Sequence, residues 1–437
     1  MRARVHARTA HEAHRGVVIL AACGAIYRAV AVGSAAVLLA AAANFPGKAQ
    51  PGSKMKSAVA YAPLPFAEVP DWEHDDHAAA FKAFLTSCAR LVASARERAT
   101  GDKLPPTPAA LVAACAAATH LAAPVGGAAA KAFFEAHFTA NTVVHDGPGG
   151  LLTGYYEPLV DGSRTPQGAF QTPLYKRPPD LVNLVDETQR GSVGMALTHA
   201  RKIDKGTEPF PTRAEIEQGA LKDRNLELLY VADPVEVYFL QVQGSGRIKL
   251  TDGSIVRIHY DGKNGHPYTS VGRYLIEKGL LAADKVSMGA LRRWLKADLE
   301  RAKQVLWQNA SYVFFRELKG PEAAGPLGAL GTRLTPGRSL AVDASHHALG
   351  LPIYVSCEGM THLAKAGSFH RLMIAQDVGS AIKGPERGDI YFGSGDAAGR
   401  LAGVTKHPGR FIVLLPNEAP AQADAAPSKP AAQNVRQ

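Results

Sequence analysis

Two aspartates, Asp377 and Asp389, bracket a glycine-rich loop that carries Lys383 and Arg387. Val378 follows the first, and Ile390-Tyr391-Phe392, which reads as a buried strand, follows the second. A carboxyl at a barrel mouth beside apolar walls has its charged form disfavoured, so its pKa rises toward the range of a general acid. A single Asp is ordinarily a turn residue or a cap; two in one such loop form the densest polar constellation of the chain. The residues alone leave open which of the two would do chemistry. Other engines are absent: there is no P-loop, no dinucleotide fingerprint after a strand and no HExxH. Gly244-Ser245-Gly246 lacks the Gly-x-Ser-x-Gly spacing of a nucleophile elbow. Asp343 lies near His346 and His347, but adjacent imidazoles diverge, so that stretch reads as a surface loop. Neither a metal nor a cofactor is expected.

The elements that would position these residues change in texture along the chain. Apolar spacing predicts a helix over 77–98, with Phe81, Phe84, Leu85, Cys88, Leu91 and Val92 on one face. Thr107-Pro108 supplies an N-cap and first-turn proline for a second helix through His120, and a third spans 129–137. From Asn141 short strands dominate: 142–144, 151–156, 235–243, and a hairpin of 247–250 with 254–260 around Asp252-Gly253. Helices are expected at 270–281 and 288–306, then strands at 312–315, 339–342, 353–355, 371–375 and 411–415. This is a mainly β fold with helices, α+β in class, suited to small barrels decorated by helices. Residues 44–65 read as a linker and 416–437 as a disordered tail.

The chain has 437 residues and a net charge of +10; five basic residues and one acid precede Ala43, so the remainder carries +6. A mildly basic surface fits an anionic polymer, nucleic acid included, and decides little. The N-terminus says more. A basic stretch through Arg28, a short apolar run over 29–43 and the break at Asn44-Phe45-Pro46-Gly47 have the layout of an export signal. Leu20-Ala21-Ala22-Cys23 offers a competing reading as a bacterial lipobox, with Cys23 lipidated. Either reading takes the protein out of the cytoplasm and argues against a nucleic-acid partner. In an oxidising compartment Cys88 and Cys115 either pair or remain two buried thiols.

Several motifs, in order, resemble those of the membrane-bound lytic transglycosylase A family. They are Leu152-Thr153-Gly154-Tyr155-Tyr156-Glu157-Pro158, Phe239-Leu240-Gln241-Val242-Gln243-Gly244-Ser245-Gly246, Asn309-Ala310-Ser311-Tyr312-Val313-Phe314-Phe315, and the two segments around Asp377 and Asp389. Asp343, Asp377 and Asp389 match the family's three aspartates, and the catalytic one falls on Asp389, with Asp377 and Asp343 supporting. The resemblance implies a double-psi β-barrel, 66–157 plus 309–415, split by an inserted β domain, 158–308, with a glycan in the groove between them. It also implies cleavage of peptidoglycan strands in the periplasm by a monomer, with formation of a 1,6-anhydro sugar, any membrane link being a lipid anchor or uncleaved signal. Thr153, Tyr155, Tyr156, Glu157, Gln241, Gln243, Ser245, Lys383 and Arg387 are then candidates for gripping sugar, by stacking, hydrogen bonds or pairing with carboxylates. Strand alternation lets only one of Tyr155 and Tyr156 face the groove. The alternatives are an inverting glycosidase on the same barrel and a wall-binding barrel without activity.

Overall fold

The computed structural model describes residues 59–99, 108–121, 124–185, 197–363 and 368–418. The export signal, the lipobox, Thr107 and the tail beyond 418 lie outside the described residues. In chain order, β1 (Ala60–Pro63) is followed by α1 (His77–Ala99), α2 (Ala109–Thr119), α3 (Gly127–His137), β2 (Phe138–Val144) and β3 (Leu151–Glu157). The chain then builds β4 (Leu159–Ser163), β5 (Thr172–Tyr175), β6 (Leu181–Asn183), β7 (His199–Ile203), β8 (Gly206–Glu208), the single-turn α4 (Arg213–Glu215) and β9 (Glu227–Val231). Next come α5 (Pro234–Gln243), β10 (Ser245–Leu250), β11 (Ile255–Lys263), α6 (Val271–Glu277), α7 (Met288–Lys296), α8 (Leu299–Leu306) and β12 (Val313–Leu318). Last are β13 (Ser339–Val342), β14 (Pro352–Cys357), β15 (Phe369–Val378), β16 (Arg387–Ser394), α9 (Gly395–Val404), β17 (Lys406–Pro408) and β18 (Arg410–Pro416).

The strands form a mixed α/β architecture of three sheets. A nine-stranded sheet runs β1-β2-β18-β14-β15-β13-β16-β3-β17, a six-stranded sheet β12-β11-β10-β4-β9-β5, and a small one β6-β7-β8. In the large sheet β13 pairs parallel with β15 and β3 parallel with β16, while β13 and β16 are antiparallel. Among the described residues no ladder joins β1 to β17, so hydrogen bonding does not close this sheet into the expected barrel. Its core is continuous with α1–α3: Phe81, Phe84, Phe133 and Phe134 pack with Leu340, Ile353, Ile374 and Val413. Cys88 on α1 and Cys115 on α2 are joined by a disulfide, with Cα atoms 5.0 Å apart.

Several expectations change. The stretch 235–243, read as a strand, is helix α5. Asp233 caps it, its side chain accepting from the Val235 amide at 2.8 Å; Pro234 opens it, and Gly244 closes it at φ 74°. Only glycine takes that left-handed turn without strain. Burial of Val235, Val237, Tyr238, Phe239, Leu240, Gln241 and Gln243 wraps almost the whole helix, which erases the one-sided periodicity that would have revealed it. The expected helix 288–306 is broken at Ala297, where Asp298 caps α8 through the Arg301 amide. The linker ends early, since β1 pairs with β2, and the tail begins late, since β18 runs through Pro416. The six-stranded sheet passes the expected boundary at Asn309, because β12 pairs with β11.

The disulfide closes a 27-residue separation. Its chain-entropy contribution is about 3 kcal/mol. Replacing Cys88 and Cys115 together by Ala is therefore expected to lower the melting temperature by several degrees and to abolish its sensitivity to reductant, as read by thermal melts with and without dithiothreitol.

Candidate active site

The strand register lines up the reactive residues in one row. Asp377 on β15 pairs with Ala341 on β13, Ala341 with Asp389 on β16, and Asp389 with Thr153 on β3. Residues in register share a face, so both carboxylates and the Thr153 hydroxyl point the same way. The aspartate backbones are two strand spacings apart, about 10 Å. In the register between them stands Ala341.

This row depends on a bulge. Leu340 pairs with Ala375, yet the next residue, Ala341, pairs with Asp377, so Gln376 is an extra residue in β15. One-to-one pairing would set Asp377 against Val342, which is fully buried in the core. The extra residue moves it to the face of Asp389. Gln376 is itself fully buried. Its Nε2 lies 2.8 Å from Ser87 Oγ, 2.9 Å from Thr86 Oγ1 and 3.0 Å from the Ala83 carbonyl on α1, and Ser339 Oγ donates to its Oε1. The helix thus holds the bulge in place with bonds that water cannot replace.

The three aspartates have different surroundings. Thr153 Oγ1 donates to Asp389 Oδ1 at 2.5 Å, and Arg387 Nη2 donates to Thr153 Oγ1 at 2.8 Å. Burial pushes the Asp389 carboxyl up to about 6, against the pull of Arg387 and Thr153. Asp377 is also raised to about 6 by burial and the nearby Asp389 charge. Its oxygens, however, are held by Tyr155 Oη and by the amides of Ala329 and Val378, each at 2.9 Å. Burial raises Asp343 too, but the amides of Gly384 and Ser345, the Ser345 hydroxyl and Lys383 outweigh it and leave its pKa below the usual value. Asp343 therefore holds the loop between the other two aspartates, through Gly384 N at 2.8 Å.

The remaining expected residues separate into two groups. Tyr155 lies on the carboxylate face, its ring 5.3 Å from that of Tyr391. Tyr156 lies on the opposite face against Ala398 and Ala402, and donates its backbone amide to Gln243 Oε1 at 2.9 Å. Gly154 lets α9 approach this side, since a Cβ there would sit 2.8 Å from Ala402 Cα. Arg387 is half-buried beside the row and Lys383 is exposed on the loop. Gln241 accepts from the buried Arg213 at 2.5 Å, Ser245 is buried at the start of β10, and Glu157 is fully buried between Arg257 and Ser394. His346 and His347 have ring centroids 6.5 Å apart, and the His347 Nε2 is 2.6 Å from the Pro385 carbonyl. No cluster of three metal-ligating side chains occurs among the described residues. Sequence reasoning missed the Ala329 amide, Gln376 and Arg257; none has a signature apart from its partner, which lies 48 to 293 positions away. Cavities of about 580 Å3 along Pro179–Asp180 and Lys202–Asp204, and about 220 Å3 near Tyr156, Glu236 and Arg292, do not include the row.

Between the ordinary aspartate value near 4 and about 6, the folded protein keeps a proton on Asp389 that the unfolded chain has lost, so stability falls as pH rises through that window. Asp389→Asn removes this cost. Denaturant melts are expected to show the variant more stable than wild type at pH 7, by about 1–3 kcal/mol, with the gain vanishing below pH 4. A destabilised variant at pH 7 would contradict the assignment.

Residues 151–316 match the family described as MltA specific insert domain, and residues 338–415 match the 3D domain. The chain is 36% identical over 268 residues to membrane-bound lytic murein transglycosylase A of Escherichia coli K12, an overlap of 60% of this chain and 65% of that protein. Its fold is similar to that of a membrane-bound lytic murein transglycosylase from Agrobacterium tumefaciens, with 35% identity, a TM-score of 0.72 and coverage of 82% of this chain and 97% of the other. It is also similar to the structure of E. coli MltA with bound chitohexaose, at 28% identity, a TM-score of 0.56 and coverage of 84% and 95%.

Proposed function

Because this chain belongs to the membrane-bound lytic murein transglycosylase A family, we propose that it cleaves peptidoglycan glycan strands between N-acetylmuramic acid and N-acetylglucosamine, with Asp389 as the one acid and base. The observation that carries this reading is the Asp389 carboxyl, raised to about 6 and held by a single short bond from Thr153. An acid of that strength keeps a substantial protonated fraction near neutral pH. Asp377, committed to Tyr155 and two amides, supports the row and shares its negative field.

One carboxyl suffices if the nucleophile belongs to the substrate. Asp389 gives its proton to the glycosidic oxygen as the bond from the muramyl C1 breaks. The muramyl C6 hydroxyl then bonds to C1, and its proton returns to the Asp389 carboxylate. Atoms balance without water, and the product ends in a 1,6-anhydro ring. The attack is intramolecular, which supplies a high effective concentration in place of a second catalytic carboxylate. Thr153, Tyr155, Arg387 and the exposed Lys383 would meet the glycan, while Glu157, Gln241, Gln243 and Ser245 act from behind. The parallel pairs on either side of β13 and β16 support a double-psi type of connectivity for the catalytic sheet, and the glycan would lie between that sheet and the inserted one. The export signal or lipobox supports a periplasmic location, the lipobox with anchoring to the outer membrane.

Digestion of purified sacculi followed by mass analysis tests the reading. Soluble muropeptides one water lighter than hydrolysis products are expected, and Asp389→Ala should lose them by at least about a thousandfold. Products of hydrolytic mass would make the protein a glycosidase instead. The first step needs protonated Asp389, so turnover should fall as pH rises through about 6; a rate that climbs from pH 6 to 8 would reject Asp389 as the acid.

A further inference from the structure

The inserted strands β4–β12 join the nine-stranded sheet through only two chain crossings: Glu157-Pro158 between β3 and β4, and the segment from Leu318 to Ser339 between β12 and β13. Arg257, on β11 of the six-stranded sheet, touches both. Its Nε donates to Glu157 Oε1 at 2.5 Å and its Nη2 to Glu157 Oε2 at 3.1 Å, at the first crossing. Its Nη1 donates to the Ala323 carbonyl, at the second. Glu157 is fully buried. It also accepts from Ser394 Oγ at 2.5 Å, at the end of β16, and lies 3.5 Å from Arg247 Nε on β10. Its oxygens are therefore committed to groups from both sheets.

We infer that Arg257 and Glu157 form a clasp that sets the inserted sheet against the catalytic sheet, with Arg257 as a positioning residue for the groove. Two covalent crossings alone leave a hinge. A bidentate guanidinium–carboxylate pair is planar and directional, and its burial shields it from water and salt. The third bond, to Ala323, ties the second crossing to the same guanidinium. Lysine would keep a counter-charge for Glu157 but cannot make the fork and the carbonyl bond together. The clasp rests on the proposed function only in treating the space between the sheets as the glycan groove.

The test compares wild type with Arg257→Lys, in the full chain with Cys23→Ser and the free, buried Cys357 also changed to Ser, so that spin labels attach only at Val144→Cys on β2 and Lys249→Cys on β10, both exposed. Pulsed electron–electron resonance should show a label–label distance distribution at least about twice as wide in Arg257→Lys. In parallel, unlabelled Arg257→Lys acting on sacculi should raise KM about five- to twentyfold, with kcat within about twofold and the pH of half-maximal turnover unmoved. Glu157→Gln, close to isosteric, repeats both measurements from the other partner should the lysine variant fold poorly. Superimposable distance distributions, or a loss confined to kcat, would overturn the clasp. A broadened distribution in a protein whose wild type releases no muropeptide would leave the clasp standing and defeat the functional reading instead.

Discussion

The site depends on the pairing of one residue too many. Gln376 inserts into β15 without a partner on β13, and that insertion turns Asp377 onto the face already occupied by Asp389 and Thr153. The bulge is stable because the Gln376 amide, buried where water cannot reach, has partners on α1 and on Ser339. Losing the α1 partners together, or the Ser339 hydroxyl, would leave a polar group stranded in the core. The N-terminal helices therefore do more than cover the sheet. They hold the register of the strand that carries one of its carboxylates, and the disulfide fastens α1 to α2 one residue from Ser87.

Given the row, the three aspartates are separated by their surroundings. All three lose water, which raises a carboxyl's pKa. Asp343 regains more than it loses from loop amides and a lysine, and remains an anion that anchors the loop. Asp377 regains part from two amides and a tyrosine. Asp389, raised to the same value, is opposed by the Arg387 charge and by one hydroxyl, that of Thr153. A proton held there can leave and return, which is what a group acting as acid and then base needs.

Much of this was legible in the residues. The glycine-rich loop between Asp377 and Asp389 was visible, alternation separated Tyr155 from Tyr156, and the motifs carried the family. Helix α5 was not, because β-branched and aromatic residues buried on nearly all sides look alike in a strand and in an enclosed helix. That β12, beyond the expected boundary near Asn309, pairs back with β11 is a partnership read only in three dimensions. Gln376 and Arg257 escaped for a common reason. Each is an ordinary residue until the fold brings it partners from far along the chain, Ala83 for one and Glu157 for the other.

The role proposed for Asp389 requires that this residue, and not merely its neighbourhood, hold an exchangeable proton near neutral pH. The most direct measurement is a carbon NMR titration of carboxyl-labelled aspartate, with the Asp389 signal assigned by its loss in Asp389→Asn. A midpoint near 6 is predicted. A midpoint at the ordinary aspartate value, near 4, would contradict the account.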